Sequence, residues 1–383
     1  MRNVAARALP ALLVLLFLGS AQAQRAPTLR VAGQPEIVIP AKDMQCAGKG
    51  VAGIDVPDMP PTAYKRADGV VLLLAGNRFN YPNTGSTLDE VKRRDCGSLL
   101  TSTRSAEPAS FTDAEWLVAL YSANGTEVLG LVHNEYHGEE HGLKECVITS
   151  QRDRECWYAS TTLVFSKDGG KTFSRLRAPQ NVVAALPYKF YPGMKRAGTS
   201  NAKVVGHPSD GQVYVFVTNI ERNRAKPTGE CLVRADPAKP SSWHAWDGKG
   251  FRQPIGSAYA TQRAGDCVHV IQGPVTSVRH VPRLKAFVAL QLIGSKLQYR
   301  TSGDLLKWSA PRELPFQFTA LGSYKLGDPQ PLEYFSLLDP SSGSRNFDTL
   351  ESRPYLYFVR WHTNDKGVVN SRRDVMRVRL AMD

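Results

Sequence analysis

The sequence predicts an all-β protein, and the arrangement that fits it best is a five-bladed β-propeller. Short runs of β-branched and aromatic residues, each ending in a Gly, Asn or Asp turn, recur along the 383 residues, whereas long amphipathic helical patterns are missing. Five runs are apolar enough to be buried strands: Gly69–Leu74, Val128–Val132, Gln212–Val217, Lys285–Leu290 and Tyr355–Val359. The steps between them are 58, 84, 74 and 69 residues, counted from Val71, Leu129, Val213, Phe287 and Leu356. This spacing is typical of a radial repeat whose units each hold several strands.

Three turn segments in the outer parts of these units support the same fold. Ser166–Phe173 reads S-x-D-x-G-x-x-F, Thr301–Trp308 contains the looser S-x-D-L-x-x-W, and Arg234–Asp247 is a third version with an insertion. We expect Asp168 to accept hydrogen bonds from turn amides, while its glycines supply positive φ and an aromatic residue fills the space between strands. A turn aspartate of this kind has its hydrogen bonds committed, so these segments predict structure and not catalysis.

The first 23 residues predict a signal peptide. Arg2 and Arg7 precede the apolar run Ala8–Leu18, which is too short to span a bilayer, and Ala21–Ala23 has the small-x-small pattern of a cleavage site. An uncleaved anchor is the alternative. We therefore expect an exported, periplasmic or secreted protein that begins at Gln24, has no membrane span after cleavage, and forms one domain over 24–383.

The six cysteines of an exported chain predict disulfides better than metal ligands. Six thiols allow 15 pairings, and the sequence does not choose among them. Cys146 and Cys156 lie close together in a loop-like stretch, so we expect this pair first.

The net charge is +13, and +11 remains once Arg2 and Arg7 leave with the signal peptide. The basic residues are scattered and accompany no nucleic-acid motif, which argues against a nucleic-acid partner. A solvated surface suited to an anionic cell envelope is the simpler interpretation, and an acidic glycan stays open as a ligand.

The chain resembles the five-bladed propeller superfamily of glycoside hydrolases, the arabinanase-like and fructosidase-like families. The resemblance covers essentially the whole mature chain, and four groups of segments carry it: Asp55–Pro60; Val132–Gly138; Cys231–Arg234 with Ser242–Gly248; and Phe335–Asp339 with Arg345–Phe347 and Arg353–Tyr357.

The resemblance implies an aspartate on the first blade as base or nucleophile and a glutamate on a later strand as acid. Asp58 matches the first role by position, with Asp55 a rival, and Glu135 is our candidate for the second. Hydrolysis of a glycoside needs two such carboxyl groups across the scissile bond, one of them held protonated. We also expect further contacts to substrate from Asp55, His133, Asn134, Tyr136, Ser200, Asn201, Ser336 and Asp339.

The sequence departs from the family pattern in its third unit. Gly198–Ala202 offers no carboxylate where the family's acid usually lies, and the second-blade aspartate is replaced by the His133–Glu135 stretch. A structural interpretation therefore stays open, in which Asp58 caps a strand entry and Glu135 pairs with an arginine.

The segment His133–His141 holds three His and three Glu, which suggests a metal site. It is not an H-E-x-x-H helix, and Gly138 favours a polar loop at the mouth of the propeller, so we expect neither a metal nor an organic cofactor. The aromatic residues nearby stack on sugar rings or pack between blades: Tyr136, Trp157, Tyr158 and Trp361.

The sequence thus predicts a monomeric, exported propeller that acts on an oligo- or polysaccharide by two-carboxylate chemistry. A non-catalytic propeller that binds a glycan or an envelope protein is the main alternative, and the missing third-unit carboxylate favours it. A lyase that acts on an acidic glycan is a third hypothesis, supported by charge alone.

Overall fold

A computed structural model of the chain describes residues 26–46, 55–76, 78–148, 155–221, 228–239, 242–254, 256–260 and 267–383. The predicted signal peptide and its cleavage site lie outside these residues. Within them the fold is all-β, as predicted, and the helical segments are single 3-10 turns: Ala41–Asp43, Pro108–Ser110, Gly138–His141, Pro282–Leu284 and Leu321–Ser323. No helix of the described part is long and apolar enough to cross a membrane.

The strands fall into five consecutive antiparallel groups. Two short strands near the N-terminus precede them: β1 (Leu29–Val31) and β2 (Glu36–Ile39). The first group comprises β3 (Thr62–Lys65), β4 (Val71–Leu74) and β5 (Asn83–Gly85). The second comprises β6 (Ala114–Tyr121), β7 (Val128–His137), β8 (Trp157–Ser166), β9 (Ser174–Arg175) and β10 (Val182–Ala184).

The remaining three groups repeat this plan. The third comprises β11 (Ala197–Gly206), β12 (Val213–Glu221), β13 (Gly229–Ala235), β14 (His244–Trp246), β15 (Phe251–Gln253) and β16 (His269–Gln272). The fourth comprises β17 (Val275–Val281), β18 (Ala286–Ile293), β19 (Lys296–Ser302) and β20 (Arg312–Glu313). The fifth comprises β21 (Leu332–Leu338), β22 (Tyr355–Thr363) and β23 (Val369–Met382).

The first strand of each group contacts the first strands of two other groups. β3 contacts β6, β6 contacts β11, β11 contacts β17, β17 contacts β21, and β21 contacts β3. We call these five the inner strands. The five apolar runs that the sequence shows belong instead to the second strands β4, β7, β12, β18 and β22, which have a partner on both edges and are largely buried.

Two sets of strand pairings link parts of the chain that are distant in sequence. No sheet closes on itself in the described chain. β8 and β11 pair in parallel over two residues, which connects the second group to the third. β1 and β2 both pair antiparallel with β23, so strands from opposite ends of the sequence complete the fifth group.

Three disulfides lie within the described chain: Cys46–Cys96, Cys146–Cys156 and Cys231–Cys267. The expected pair, Cys146–Cys156, is confirmed. It fastens the loop that follows the 3-10 turn Gly138–His141, and the backbone N–H of Gly138 donates to the carbonyl of Cys156 at 3.2 Å. Six oxidised cysteines fit a protein of an oxidising compartment.

The turn aspartates are bound as the sequence suggests. Asp168 accepts hydrogen bonds from the backbone N–H groups of Lys171 and Thr172, both at 3.0 Å, and from the hydroxyl of Thr172 at 2.5 Å. Asp304 accepts from the N–H groups of Leu306 at 2.9 Å and Lys307 at 2.8 Å. These carboxylates stabilise turns and contact no other group of strands.

Candidate functional site

The end of β7 carries a carboxylate between two histidines. Because side chains alternate along a strand, His133, Glu135 and His137 share one face of β7. His133 Nε2 lies 2.8 Å from Glu135 Oε1, and His137 Nε2 lies 2.7 Å from Oε2. Both carboxylate oxygens are therefore bound, and the Glu135 side chain keeps 16% of its surface exposed.

These contacts decide the charge of Glu135. Burial opposes its ionisation, but the hydrogen bonds and charges of His133 and His137 outweigh burial and hold the pKa of Glu135 well below its ordinary value. The carboxyl is consequently an anion at neutral pH. It is not poised to donate a proton.

His137 also contacts Glu140, the next carboxylate outward. Its Nδ1 lies 2.8 Å from Glu140 Oε1 and 3.1 Å from Arg78 Nη2. Arg78 Nη2 already donates to Glu140 at 2.9 Å, so we assign the Nδ1 proton to the shorter contact with the carboxylate. The ring of His137 thus bridges Glu135 and Glu140, with one nitrogen against each carboxylate.

An outer layer of arginines neutralises the rest of this cluster. Glu140 is bound by Arg78 and by Arg104, and His137 and Arg78 hold its pKa far below the ordinary range although burial opposes this. Arg104 Nη1 also lies 3.2 Å from Asp113, whose other oxygen accepts from the backbone N–H of His137 at 3.0 Å. The cluster is thus a network of alternating charges.

Two indole rings flank His133. The ring centroids of Trp116 and Trp157 lie 5.9 and 6.0 Å from the centroid of His133. Arg78 lies over the Trp116 ring at 5.8 Å and Arg196 over the Trp157 ring at 4.2 Å. Both indoles are almost completely buried, so they fix the imidazole and cannot stack on a ligand.

Asp58 forms a second cluster, at the entry to β3. Arg373 on β23 forms an ion pair with it, and the hydroxyl of Tyr334 on β21 donates to Oδ1 at 3.0 Å. The guanidinium of Arg373 lies 3.4 Å from the ring centroid of Trp361 on β22. Three strands of the fifth group therefore hold a carboxylate that precedes the first group, and 32% of the Asp58 side chain remains exposed.

One backbone segment connects the two clusters. The N–H of Asp58 donates to the carbonyl of Ala75 at 2.9 Å and to that of Gly76 at 3.0 Å. Arg78 follows Gly76 by two residues and reaches the cluster of Glu135. The structure therefore places Asp58 and Glu135 on neighbouring parts of one end of the molecule, the end at which the inner strands begin. We call this end the mouth.

Two predicted contact residues are committed to structural contacts. Asp55 is buried, and its carboxylate accepts from Arg93 at 2.6 Å and from the backbone N–H of Cys46 at 2.9 Å beside a disulfide. Asp339 follows the far end of β21, five residues or roughly 16 Å of strand from Tyr334. Its oxygens accept from Ser341 and Glu351 at 2.8 and 2.6 Å, so it stabilises a loop.

Asn134 and Tyr136 point to the face of β7 opposite Glu135. Asn134 Nδ2 lies 3.4 Å from the carbonyl of Ala114, and the Tyr136 hydroxyl donates to the carbonyl of Ala106 at 3.1 Å. Both are buried within the second group, and burial raises the pKa of Tyr136. Tyr158 is also buried, so Trp361 is the one partly exposed member of the four predicted aromatic residues.

The three remaining predicted contacts lie on inner strands. Ser200 is buried on β11, while Asn201 next to it lines a small central cavity. Ser336 on β21 lines the same cavity and donates to the carbonyl of Pro61 at 2.7 Å. These residues lie behind the mouth and not on its surface.

The third group contains a buried ion pair that the sequence did not reveal. Lys203 on β11 lies 3.3 Å from Glu230 on β13, and both side chains are almost fully buried. Burial lowers the pKa of Lys203 and raises that of Glu230, each against the opposing charge of its partner. The third group thus has a carboxylate close to its inner strand, but this carboxylate comes from β13 and is enclosed.

The metal interpretation of the polar loop has one geometric basis. Ligand atoms of His137, Glu139 and Glu140 lie within 4.8 Å of one another. Arg78 and Arg104 already occupy the carboxylate of Glu140, and two guanidinium groups repel a cation. The arrangement therefore favours an ion-pair network. A second grouping, Cys231, Cys267 and His269, contains two cysteines that are joined in a disulfide.

No family model and no curated protein matches this sequence. Similar folds are found among solved structures. The catalytic domain of a GH62 α-L-arabinofuranosidase from Coprinopsis cinerea is 11% identical, with 92% of this chain and 97% of that chain covered and a TM-score of 0.49. An endo-arabinase from Bacteroides thetaiotaomicron is 8% identical, with 89% and 96% covered and a TM-score of 0.46.

An N-acetylgalactosamine deacetylase from F. plautii, in complex with blood group B trisaccharide, is also similar. It is 12% identical, 92% of this chain and 95% of that chain are covered, and the TM-score is 0.50. At these identities the likeness concerns the fold. Arabinanase-type glycoside hydrolases are thus among the proteins whose solved structures are similar to this chain.

Proposed function

We propose that this chain is an exported five-bladed β-propeller that binds an oligosaccharide at the mouth without cleaving it. One observation carries the proposal: both carboxylates that the fold would use for hydrolysis are already bound, Glu135 by a histidine on each oxygen and Asp58 by Arg373.

The five-bladed arrangement is supported by the cyclic contacts of the inner strands. Each of the five antiparallel groups contributes one inner strand, and each inner strand contacts those of its two neighbours. This is the order in which blades follow one another around an axis. The pairing of β1 and β2 with β23 ties the first strands of the chain to the last blade.

Hydrolysis by two carboxyl groups requires that one of them be protonated before the reaction begins. The pKa of Glu135 is far too low for this role. Burial does raise the pKa of Glu115 and of Glu230, but these carboxyls are enclosed and paired with Arg175 and Lys203.

The same contacts suit the binding of a sugar. Asp58, Arg78 and Glu140 keep roughly a third of their side-chain surfaces exposed, while their partners fix their directions. Fixed acceptors and donors bind sugar hydroxyls with little loss of side-chain entropy. Trp361 is held flat by Arg373 beside Asp58, and an aromatic face so placed can stack on a sugar ring.

Hydrolysis is the second candidate function, and the remaining exposure of Asp58 and Glu135 favours it. In that case Glu135, as the permanent anion, would be the base or nucleophile, and the acid would have to form when a ligand displaces Arg373 from Asp58. This reverses the roles that the sequence suggests for the two residues.

The decisive experiment measures binding and product release together. The mature chain from Gln24 is tested against arabinan, arabinogalactan, galactan, uronic-acid-containing glycans and bacterial envelope glycans. Binding is followed by calorimetry and released sugar by a reducing-end assay. Asp58→Asn and Glu135→Gln are run in parallel, with Glu313→Gln on the exposed strand β20 as a matched control.

We expect at least one glycan to bind without release of sugar, and both mouth variants to weaken binding about tenfold while the control does not. Release of sugar that Asp58→Asn and Glu135→Gln both abolish would establish hydrolysis instead. Absence of binding across the panel would overturn both functions.

A further inference from the structure

The inner strands enclose a small cavity on the axis of the molecule, behind the mouth. Its volume is about 30 Å³, and all five groups of strands contribute to its wall. A volume of this size accommodates one or two water molecules or a monatomic ion. Eight polar residues line it: Thr62, Asn201, Lys203, Thr276, Ser277, Arg279, Ser336 and Asn346.

Arg279 on β17 is a buried cation in this wall. The residue is 5% exposed, and its Nη1 donates to the carbonyl of Val278, its own neighbour, at 2.7 Å. Its Nε is buried and has no hydrogen-bond partner in the described part of the chain. Burial lowers the pKa of Arg279 to about 10, so the side chain is still charged at pH 7.

The other cation of the cavity is already neutralised. Lys203 Nζ donates to the hydroxyl of Thr218 at 2.9 Å and lies 3.3 Å from Glu230. Arg279 is attracted by Asp348, but it forms no ion pair with a described carboxylate, and Asp348 accepts from the backbone N–H of Gly206 at 2.8 Å. A buried charge without a counter-charge in contact is costly.

The hydroxyl groups in the cavity wall differ in whether their protons are already used in a hydrogen bond. Thr62 and Thr276 donate to backbone carbonyls, those of Val118 at 3.2 Å and Leu290 at 3.3 Å. Ser277 Oγ instead accepts, from the N–H of Leu337 at 3.1 Å, which leaves its own proton for another acceptor. Ser277 and Arg279 are two residues apart on β17 and therefore share one face.

We propose that this cavity is a binding site for a halide ion, held by Arg279 Nε and the hydroxyl proton of Ser277. A monatomic anion fits the volume, accepts from both donors, and neutralises the guanidinium. The site is separate from the glycan-binding mouth, and the ion would supply the counter-charge that Arg279 lacks in direct contact.

The test uses bromide as the probe. Crystals of the mature protein are grown in sodium bromide, and anomalous diffraction is measured at the bromine edge. We expect a peak in the axial cavity beside Arg279 Nε. In solution, we expect the Tm to rise with sodium chloride or bromide above its value in sodium gluconate of equal ionic strength, because an ion that binds only the folded chain stabilises it.

Two variants separate this effect from a loss of folding. Ser277→Ala removes one donor and should reduce the halide-dependent rise in Tm, while Arg279→Lys keeps a charge without the Nε donor and should abolish the bromide peak. Arg300→Met is the matched control: Arg300 lies in the same sheet and donates to Gln291 and Ser309, and its loss should leave the halide response unchanged. Equal Tm values in chloride and gluconate, or bromide on the surface only, would overturn the proposal.

Discussion

Glu135 and Glu230 are both buried carboxylates with a basic partner, yet their pKa values move in opposite directions. Glu135 lies at the mouth, keeps 16% of its side-chain surface, and has a histidine at 2.8 or 2.7 Å on each oxygen. Glu230 lies in the third group, has no exposed surface, and has Lys203 at 3.3 Å. The pKa falls at the first site and rises at the second.

The difference shows how burial and pairing compete. Two short charge-assisted hydrogen bonds outweigh burial at Glu135, whereas burial outweighs one longer ion pair at Glu230 even with Thr218 and the N–H of Val275 as further donors. A carboxylate at the mouth is therefore fixed as an anion that a ligand can contact. The carboxylate of Glu230, in the interior, has a structural role.

The largest effect is expected from Lys203→Met. It leaves Glu230 buried without its cation, which should lower the free energy of unfolding by about 3–5 kcal/mol in urea denaturation. The double variant Lys203→Met/Glu230→Gln should recover much of this loss, because the glutamine keeps an acceptor for the N–H of Val275. Lys296→Met, at an exposed pair, should cost less than about 1 kcal/mol. If Lys203→Met had the same free energy of unfolding as the unsubstituted protein, the burial of Glu230 without its cation would carry no free-energy cost.

A smaller loss is expected from Glu135→Gln. The variant replaces two charge-assisted hydrogen bonds by weaker neutral ones, and we expect the free energy of unfolding to fall by about 2 kcal/mol at pH 7. Glu313→Gln should change it by less than about 0.5 kcal/mol. If Glu135→Gln and Glu313→Gln had the same free energy of unfolding, the histidine contacts would not stabilise the Glu135 carboxylate in solution.

The contributions of Glu135 and Glu230 to the free energy of unfolding should change with pH in opposite directions. The pKa of Glu135 is lowered by folding, so its contribution is complete above the unfolded value of roughly 4.3 and is lost as the pH falls through the folded value. The pKa of Glu230 is raised, so its contribution is present at acid pH and is lost as the pH rises. Unfolding of Glu135→Gln and Glu230→Gln between pH 3 and 7 measures both, and slopes of the same sign relative to the unsubstituted protein would contradict the comparison.

The smallest effect is expected from Asp58→Asn. Asp58 is a third exposed, and ion pairs at such positions contribute less than about 1 kcal/mol. The substitution should therefore change glycan binding much more than it changes the urea midpoint. A loss of several kcal/mol would show that Asp58 is structural, as the alternative interpretation of its Pro-rich segment holds.

The apolar runs that predict the repeat mark the second strand of each group and not the inner strand. The apolar runs around Val71, Leu129, Val213, Phe287 and Leu356 lie in β4, β7, β12, β18 and β22. These second strands have a partner on both edges, which is why they are the most continuously apolar. The inner strands carry the polar residues of the cavity and so show no such run. Glu135 consequently lies on a second strand and not on an inner strand.

The sequence could name the candidate acids but not their partners. Glu135 and its histidines alternate on one strand, so their proximity follows from the period of a strand. Arg373 and Tyr334 come to Asp58 from strands at the other end of the sequence, and Lys203 meets Glu230 across the third sheet. Such contacts depend on how sheets are placed around the axis, which local patterns do not encode. The residues that lie elsewhere, Asp55 and Asp339, were chosen by position in a motif and not by any pairing rule.

The position of β23 has a consequence for biosynthesis. This strand of 14 residues pairs with β22 on one edge and with β1 and β2 on the other, so it is the only described element that holds the amino-terminal segment in a sheet. A growing chain that has not yet released Val369–Met382 leaves β1, β2 and one edge of β22 without partners, and unpaired edges promote aggregation. A protease cut just before Val369 would therefore separate β23 from β22 in the chain and weaken the attachment of β1, β2 and β23 together.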